Sequence, residues 1–347
     1  MRVFRLGSAI LVAALLLIAR IAAAEDASLA AEWAKYRDRF VAEDGRVLDT
    51  GNRSVSHTEG QGWAMLFAES FDDRATFDRV WTWTRNRLQR KDSALFAWRW
   101  DPGNEQNPIA DTNNASDGDI LIAWALTRAW GRWHGPQYRD EARRIIADIR
   151  GKLIEKIDGR LVLIPGAEGF KTADGARIVN PSYYIYPAFA EFRHLDPSPE
   201  WSRLRRDGLV LLAKARFGRW GLPSDWVAVG ARWQVTTETT LPPRFGFDAI
   251  RIPLYLMWGR AATNARLGAE LAYWNGFTDK PIPAWVDVID GSVAPFPAPT
   301  GFQAIIQLAR WRHQSKAPPL PTIGDEDDYY SASLTLLAAL AHQAAVR

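Results

Sequence analysis

Residues 115–133 read ASDGDILIAWALTRAWGRW, and this stretch decides the class of fold. From Ser116 to Trp133, apolar residues recur at i, i+3, i+4 and i+7, which is the period of an α-helix. Asp117 and Asp119 stand in the first turn, where a carboxylate complements the positive end of the helix dipole. The stretch therefore predicts a long helix with two acidic side chains at its N-terminal end.

Outward from this helix, the same period recurs in ten more stretches. They cover residues 28–41, 59–70, 73–90, 138–154, 183–193, 200–215, 248–258, 264–274, 301–311 and 329–345. Short extended pieces at 97–100, 160–164 and 231–235 look like loop hairpins. Because no linker, low-complexity tract or fixed-period repeat divides the chain, one all-α domain is favoured over an α-solenoid. We expect an (α/α)6 barrel, a closed double ring of paired helices with short loop hairpins at the active-site end.

The first 24 residues predict a signal peptide. Arg2 and Arg5 precede an apolar stretch at 6–19, and the alanines at 22–24 fit a cleavage site. The apolar stretch is shorter than the about 20 residues of a spanning helix, although an uncleaved anchor is the alternative. We expect residues 25–347 to form a single catalytic domain that is periplasmic or secreted and does not insert into the membrane. The chain has no cysteine, so it cannot be a lipid-anchored lipoprotein.

The charge balance gives no indication of a nucleic-acid partner. Cleavage after Ala24 would remove three arginines and no acid from a chain with 43 basic and 40 acidic residues, which leaves equal numbers of each.

A protein exported without disulfides depends on its core for stability. A chain of this length can form such a core, because it buries roughly 75% of its unfolded surface. We expect a monomer.

Three acidic side chains stand at predicted helix starts beside glycine: Glu59 in SHTEGQGWAM (56–65), Asp117, and Asp248 in RFGFDAIRIP (244–253). Each also has an ordinary explanation. Ser56 and Glu59 have the spacing of a capping box, and Ser116 could cap the helix that contains Asp117. An Asp–Arg pair at i, i+3, such as Asp248 with Arg251, is typical of a surface ion pair.

Glycine next to Glu59 argues against a purely structural explanation. Gly60 and Gly62 each cost about 1 kcal/mol relative to alanine inside a helix. Glycine in a first turn therefore indicates close approach by a ligand or by another backbone.

The chain has 17 tryptophans, and flat aromatic faces stack on pyranose rings. Those at apolar helix positions, such as Trp124, Trp130 and Trp258, are predicted to pack in the core. Those in predicted loops are better candidates for sugar binding: Trp98, Trp100, Trp226 and Trp233. Asn113 and Asn114 add amides of the kind that bind sugar hydroxyls.

The sequence lacks the motifs of metal-dependent, nucleotide-binding and serine-hydrolase sites. The five histidines are scattered without a His-x-x-x-His pair, so a transition-metal site is not expected. The sequence has neither a phosphate-binding glycine loop nor a Gly-x-Ser-x-Gly motif. We expect neither a metal nor a cofactor.

Taken together, these segments resemble glycoside hydrolase family 8 over nearly the whole chain that follows the signal peptide. ASDGDILIAWALTRAWGRW fits the signature of that family. SHTEGQGWAM is similar to the segment with the catalytic acid, and RFGFDAIRIP to the segment with the base in the cellulase subgroup. NPSYY (180–184) is similar to the segment whose tyrosine positions the attacking water.

The resemblance implies roles for individual residues. Glu59 would be the general acid, Asp248 the general base, and Asp117 the acid that holds the distorted sugar at the cleavage point. Tyr183 would position the water, and Arg251 matches an arginine beside the base. Some subgroups of the family supply the base from a different place in the chain.

The resemblance also implies an (α/α)6 barrel and an inverting, metal-free hydrolase of cellulose, mixed-linkage glucan, chitosan or xylan. Within the family, the chain most resembles the periplasmic endo-β-1,4-glucanases that accompany bacterial cellulose synthases. The expected partners are a β-1,4-linked glucan chain and a cellulose synthase complex. A chitosanase or a xylan or mixed-linkage-glucan hydrolase is the alternative within the family. A non-catalytic sugar-binding barrel or a polysaccharide lyase is more remote, given the acid set and the balanced charge.

Inversion requires one protonated and one ionised carboxyl group. A helix N-terminus and Arg251 would both favour the ionised form of Asp248. The dipole of its own helix would lower the pKa of Glu59, which is wrong for an acid. We therefore expect Asp117 to lie close to Glu59, because a second carboxylate raises the pKa of the first.

Overall fold

Helices account for about half of the computed structural model, which describes residues 27–237, 240–311 and 320–346. The predicted signal peptide lies outside the described residues. Eleven α-helices lie within them: α1 (27–40), α2 (Thr58–Ser70), α3 (Arg74–Leu88), α4 (Ser116–Trp133), α5 (Pro136–Lys152), α6 (Tyr186–Phe192), α7 (Glu200–Lys214), α8 (Arg251–Trp258), α9 (Asn264–Asn275), α10 (Thr300–Trp311) and α11 (Tyr329–Val346). In this part of the chain, no helix combines the length and apolarity that crossing a membrane requires.

Two helices begin three residues later than predicted. The stretch predicted from residue 183 starts at the end of a 3₁₀ turn (Pro181–Tyr183), and α6 starts only at Tyr186. The stretch predicted from residue 248 is an irregular turn until α8 begins at Arg251. Asp248 is thus not in the first turn of a helix, and that prediction was wrong. The turn is held by the carboxylate of Asp225, which accepts hydrogen bonds from the backbone N–H groups of Gly246 and Ala249.

Five helices are buried on most sides and pack in a closed ring. Helix α2 packs on α4, α4 on α6, α6 on α8, α8 on α11, and α11 back on α2. Helices α3, α5 and α7 pack outside the ring on α2, α4 and α6, while α10 packs on α9 and on both α8 and α11 where the ring closes. This double ring is the (α/α)6 barrel predicted from the sequence.

The strands are short, antiparallel and confined to loops. β1 (Ser56–His57) pairs with β2 (Arg99–Trp100), β3 (Ile154–Ile157) with β4 (Arg160–Leu163), and β8 (Arg244–Phe245) with β9 (Val286–Asp287). A three-stranded sheet contains β5 (Arg177–Val179), β6 (Val227–Val229) and β7 (Val235–Thr237).

Two of the three predicted hairpins are local: residues 231–235 contain the loop between β6 and β7, where Val229 pairs with Val235, and residues 160–164 contain the second strand of the β3–β4 hairpin. The turn of the β3–β4 hairpin is Asp158–Gly159, and both residues have positive φ (42° and 83°), as a two-residue hairpin turn requires. Residues 97–100 instead contribute to a strand that pairs with one far earlier in the chain. A short extended pattern does not identify its partner, so sequence alone could not distinguish these cases.

The first turns of α2 and α4 touch. A Cβ added to Gly62 would lie 2.5 Å from Cβ of Leu121, and one on Gly118 would lie 2.0 Å from Oγ1 of Thr58. The glycines next to Glu59 therefore allow close approach of another element, which is the second of the two explanations predicted for them. This crossing brings Glu59 and Asp117 to the same end of the barrel.

Candidate active site

The side chain of Arg251 brings three carboxylates together. Its Nη1 contacts Glu59 and lies 3.9 Å from Oδ2 of Asp117, while its Nη2 lies 2.5 Å from Oδ1 of Asp248. The three acids come from α2, from α4 and from the turn before α8. The expected proximity of Glu59 to Asp117 is confirmed, because both approach the same nitrogen.

The ordinary explanations for these acids do not hold. The N-cap of α2 is His57, and the hydroxyl of Ser56 donates to the carbonyl of Val47 (2.6 Å), so no capping box forms with Glu59. Helix α4 has no side-chain cap either. Arg251 is only 3% exposed, so its pair with Asp248 is not a surface ion pair.

Asp117 is buried beneath the cluster, and its Oδ1 accepts the N–H of Gly118 at 2.8 Å. Burial raises the pKa of Asp117 to about 7, while backbone N–H groups of its own turn and the charge of His57 act in the opposite direction. A carboxyl group with a pKa near neutrality can hold or release a proton under physiological conditions.

The pKa of Asp248 is raised well above its ordinary value. Burial is the largest cause, followed by the charges of Asp225 and Asp117, while Asn180 and Trp226 act in the opposite direction. Because Asp248 lies in a turn, a helix N-terminus does not favour its ionised form as predicted. The predicted contact with Arg251 is present.

Two aromatic residues flank Asp248 and Arg251. The ring of Tyr183 lies 5.9 Å from the guanidinium carbon of Arg251 and meets Trp226 edge-on at 5.9 Å. Burial and then the charges of Asp117 and Asp248 raise the pKa of Tyr183 well above its usual value. The phenol therefore stays neutral and can donate a hydrogen bond.

Trp98 stands at the start of α2, on the Glu59 side. Its backbone carbonyl accepts the N–H of Thr58 (3.0 Å), and its indole stacks on His57 at 5.6 Å. Trp100 is packed more tightly, because Arg46 lies over its ring at 4.9 Å and Trp83 meets it edge-on at 5.8 Å.

Trp233 and Asn114 depart from the prediction that they bind sugar. Trp233 is 3% exposed, and its indole N–H donates to the carbonyl of Ile157 (2.8 Å). Asn114 is 2% exposed and donates to Asp119 (2.7 Å), while its oxygen accepts the N–H of Ala167 (2.7 Å). Both side chains are occupied in fixing loops. Residues in irregular segments show no apolar periodicity from which burial can be predicted, so the sequence did not indicate that these two side chains are buried.

Sequence reasoning missed three residues beside Asp248. Asp225 holds the turn that contains the acid, and the Tyr330 hydroxyl donates to the carbonyl of Phe247. Asn180 caps the 3₁₀ turn below Tyr183 by accepting the N–H of Ser182 at 3.0 Å. None belongs to a local motif with Asp248. In the described residues, no group of three or more acidic or histidine side chains is arranged to hold a metal ion.

The cluster of three carboxyl groups around Arg251 suits acid–base chemistry on a bound substrate. Glu59 and Asp248 contact different nitrogens of one guanidinium group. With Asp117 beside it, the cluster has more carboxyl groups than cations and therefore favours retention of a proton.

Comparison with known proteins identifies relatives over almost the whole chain. The family described as "Glycosyl hydrolases family 8" matches residues 8–344. A "Probable endoglucanase" of Novacetimonas hansenii is 41% identical over 315 residues, which cover 90% of this chain and 91% of that protein. The solved endo-beta-1,4-glucanase CMCax of Acetobacter xylinum is 40% identical, with a TM-score of 0.87 over 92% of this chain and 99% of its own. Endoglucanase Cel10 of Klebsiella pneumoniae is 42% identical, with a TM-score of 0.85 over 90% and 99%.

Proposed function

The chain belongs to the glycosyl hydrolases family 8 and is an endo-1,4-β-glucanase, and on that premise we propose that Glu59 is its general acid and Asp248 its general base in an inverting cleavage of β-1,4-glucan. The observation that carries the assignment is the contact of Arg251 with three carboxylates from three separate elements.

The proposed reaction takes place in one displacement. Glu59, in its neutral form, gives its proton to the glycosidic oxygen as the bond from that oxygen to the anomeric carbon breaks. Asp248, ionised, takes a proton from a water molecule whose oxygen bonds to the anomeric carbon from the opposite face. The products are a new non-reducing end and a reducing end of inverted configuration. Proton exchange with solvent then restores both carboxyl groups.

The remaining residues hold the reacting groups. Asp117 accepts hydrogen bonds from the distorted sugar at the cleavage point. The neutral hydroxyl of Tyr183 orients the attacking water, because that side chain lies beside Asp248. Trp98 and Trp226 offer partly exposed aromatic faces on the Glu59 and Asp248 sides of the cluster, where successive sugar rings can stack.

Arg251 links the protonation states of the acids. Its charge favours ionised carboxylates, whereas three carboxylates around one cation repel one another. The group therefore titrates as a unit that keeps one proton more readily than isolated acids do.

We also propose that the protein is exported through its N-terminal segment, acts as a monomer in the periplasm or outside the cell, and accompanies cellulose synthesis. The basic, apolar and small-residue order of residues 1–24 supports export. The resemblance in length and leader to the endoglucanases of cellulose synthase systems supports the link to synthesis. N-terminal sequencing of the protein recovered outside the cytoplasm should begin at Glu25.

The substrate assignment is tested by incubating residues 25–347 with carboxymethylcellulose, chitosan, lichenan and xylan. We expect the fastest release of reducing ends from carboxymethylcellulose, with an early fall in viscosity because internal bonds are cut. Asp248→Asn is the matched control and should release almost none. Faster hydrolysis of chitosan or xylan would replace the glucan assignment with the corresponding activity of the same family. Binding without hydrolysis would identify a sugar-binding barrel.

A further inference from the structure

Asp225 is an acidic residue that the proposed mechanism does not use, although it touches the turn that contains Asp248. Its Oδ1 accepts the backbone N–H groups of Gly246 (3.0 Å) and Ala249 (2.7 Å), which lie on either side of Asp248 in the sequence. Its own N–H donates to the carbonyl of Arg244 (2.6 Å). Three hydrogen bonds therefore fix the segment from 244 to 249 to a single residue.

The fit of this segment leaves little room for movement. A Cβ on Gly246 would lie 3.1 Å from Oδ2 of Asp225 and 3.1 Å from Cβ of Trp285. The strand that precedes the turn is paired, because Phe245 stands opposite Val286 in the β8–β9 ladder. The turn is thus held between Asp225 on one side and the β9 loop on the other.

We propose that Asp225 is a positioning residue for the general base: it anchors the turn that presents Asp248, and its charge sets the pH range in which Asp248 can accept a proton. The proposal rests on the proposed function, in which Asp248 is the base. Asp225 itself does not touch the reacting atoms.

The electrostatic part follows from the surroundings of the two acids. Burial raises the pKa of Asp225 to about 6, while the N–H groups of Ala249, Gly246 and Asp248 act in the opposite direction. After burial, Asp225 is the first cause of the raised pKa of Asp248. An ionised Asp225 therefore disfavours ionisation of Asp248, and activity on the acid side should be lost at a higher pH than for an ordinary aspartate.

Other charged or titratable groups also face this pair from the neighbouring elements: Glu59, Asp117, Tyr183, Arg244, Arg251 and Tyr330. The two tyrosines have raised pKa values and stay neutral over the working range. Of the acids around Asp248, Asp225 is the one whose carboxylate also binds the backbone of the turn. Its anchoring and its charge can therefore be separated by substitution.

Two variants separate the two roles. Asp225→Asn keeps an oxygen that can accept both N–H groups but removes the charge, whereas Asp225→Ala removes both. Asp207→Asn is the matched control. Asp207 lies on α7, in another part of the barrel, and its carboxylate likewise accepts a backbone N–H, that of Leu161 (2.8 Å). The measurements are kcat and KM on soluble cello-oligosaccharides, the pH profile of kcat/KM, and amide hydrogen exchange of residues 244–250.

For Asp225→Asn we expect kcat within about tenfold of the parent at its optimum and slow exchange in 244–250. The acidic limb of its profile should move to lower pH by about one unit, the usual size of environmental pKa shifts. For Asp225→Ala we expect fast exchange in 244–250 and kcat lowered by about 10²-fold with little change in KM, because a misplaced base costs rate rather than binding. Asp207→Asn should leave the acidic limb of the pH profile and the amide hydrogen exchange of residues 244–250 unchanged.

Parent-like kcat and exchange in Asp225→Ala would overturn the anchoring role, and an unmoved acidic limb in Asp225→Asn would overturn the role of the charge. Hydrogen exchange does not depend on activity. An inactive parent protein would therefore contradict the proposed function, while the anchoring of the turn would still be decided by the exchange of the two variants. If the parent is active and Asp248→Asn is not, parent-like behaviour of both Asp225 variants would overturn only this proposal.

Discussion

Arg251 determines which carboxyl groups can act together, because it is almost fully buried and touches acids from three elements. If Glu59 is the acid, Glu59→Gln should fold like the parent and lose activity, since an amide has no proton to give to the glycosidic oxygen. General acid catalysis is worth ~10²–10⁴-fold, so kcat should fall at least that far. Release of reducing ends from carboxymethylcellulose and thermal unfolding are the measurements.

Glu69→Gln is the control for Glu59→Gln, because both glutamates lie on α2. Glu69 is buried between Arg128 (2.6 Å) and Arg132 (2.7 Å) at the far end of that helix. We expect Glu69→Gln to lower stability and to leave kcat nearly unchanged. If Glu59→Gln kept more than roughly a tenth of parental turnover, its loss would be too small for a general acid, and Glu59 would not be one.

Among the helices, the crossing of α2 and α4 places two of the three acids. Gly62→Ala should lower the free energy of unfolding by about 1–3 kcal/mol, because the new Cβ has no room and one of the helices must move. In the present structure that Cβ would lie 2.5 Å from Cβ of Leu121 and 3.1 Å from the backbone nitrogen of Ile122. Urea unfolding followed by circular dichroism measures the change.

Gly131→Ala is the matched control, because Gly131 lies on α4 and a Cβ there would meet nothing within 4 Å. Alanine is the better helix former by about 1 kcal/mol, so this variant should be as stable as the parent or slightly more so. Equal stability of Gly62→Ala and Gly131→Ala would mean that the two helices do not depend on close contact at Gly62.

For the molecule as a whole, closing the ring brings a carboxylate from near residue 60 and another from near residue 250 onto one guanidinium group. If water attacks opposite the leaving group as proposed, the first product from a β-1,4-glucan should be the α-anomer. Proton NMR of cello-oligosaccharide hydrolysis within the first minutes, before mutarotation, detects the anomer directly. A fully mutarotated product sample is the reference.

A β-anomer as the first product would indicate a covalent glycosyl-enzyme intermediate. The roles proposed for Glu59 and Asp248 would then have to be withdrawn, even though the fold and the family would stand.

Much of the fold was accessible from the sequence. Helix α4 has the bounds that its apolar period predicted. The spacing of apolar residues along a helix indicates its buried face whatever that face packs against. The segment from 248 to 250 was predicted as the start of a helix and is a turn, which Asp225 holds by accepting the N–H groups of Gly246 and Ala249. Asp225 lies more than twenty positions earlier, outside the reach of any local pattern.

The sequence by itself determined the period of the helices and the segments that contain Glu59, Asp117 and Asp248, because these depend on neighbouring residues. Only the tertiary structure decided that Arg251 joins the three acids, that Trp233 and Asn114 are buried, and that Asp248 has a raised pKa. Burial and charge–charge interaction act through space between residues far apart in the chain. They exist only once the ring has closed around them.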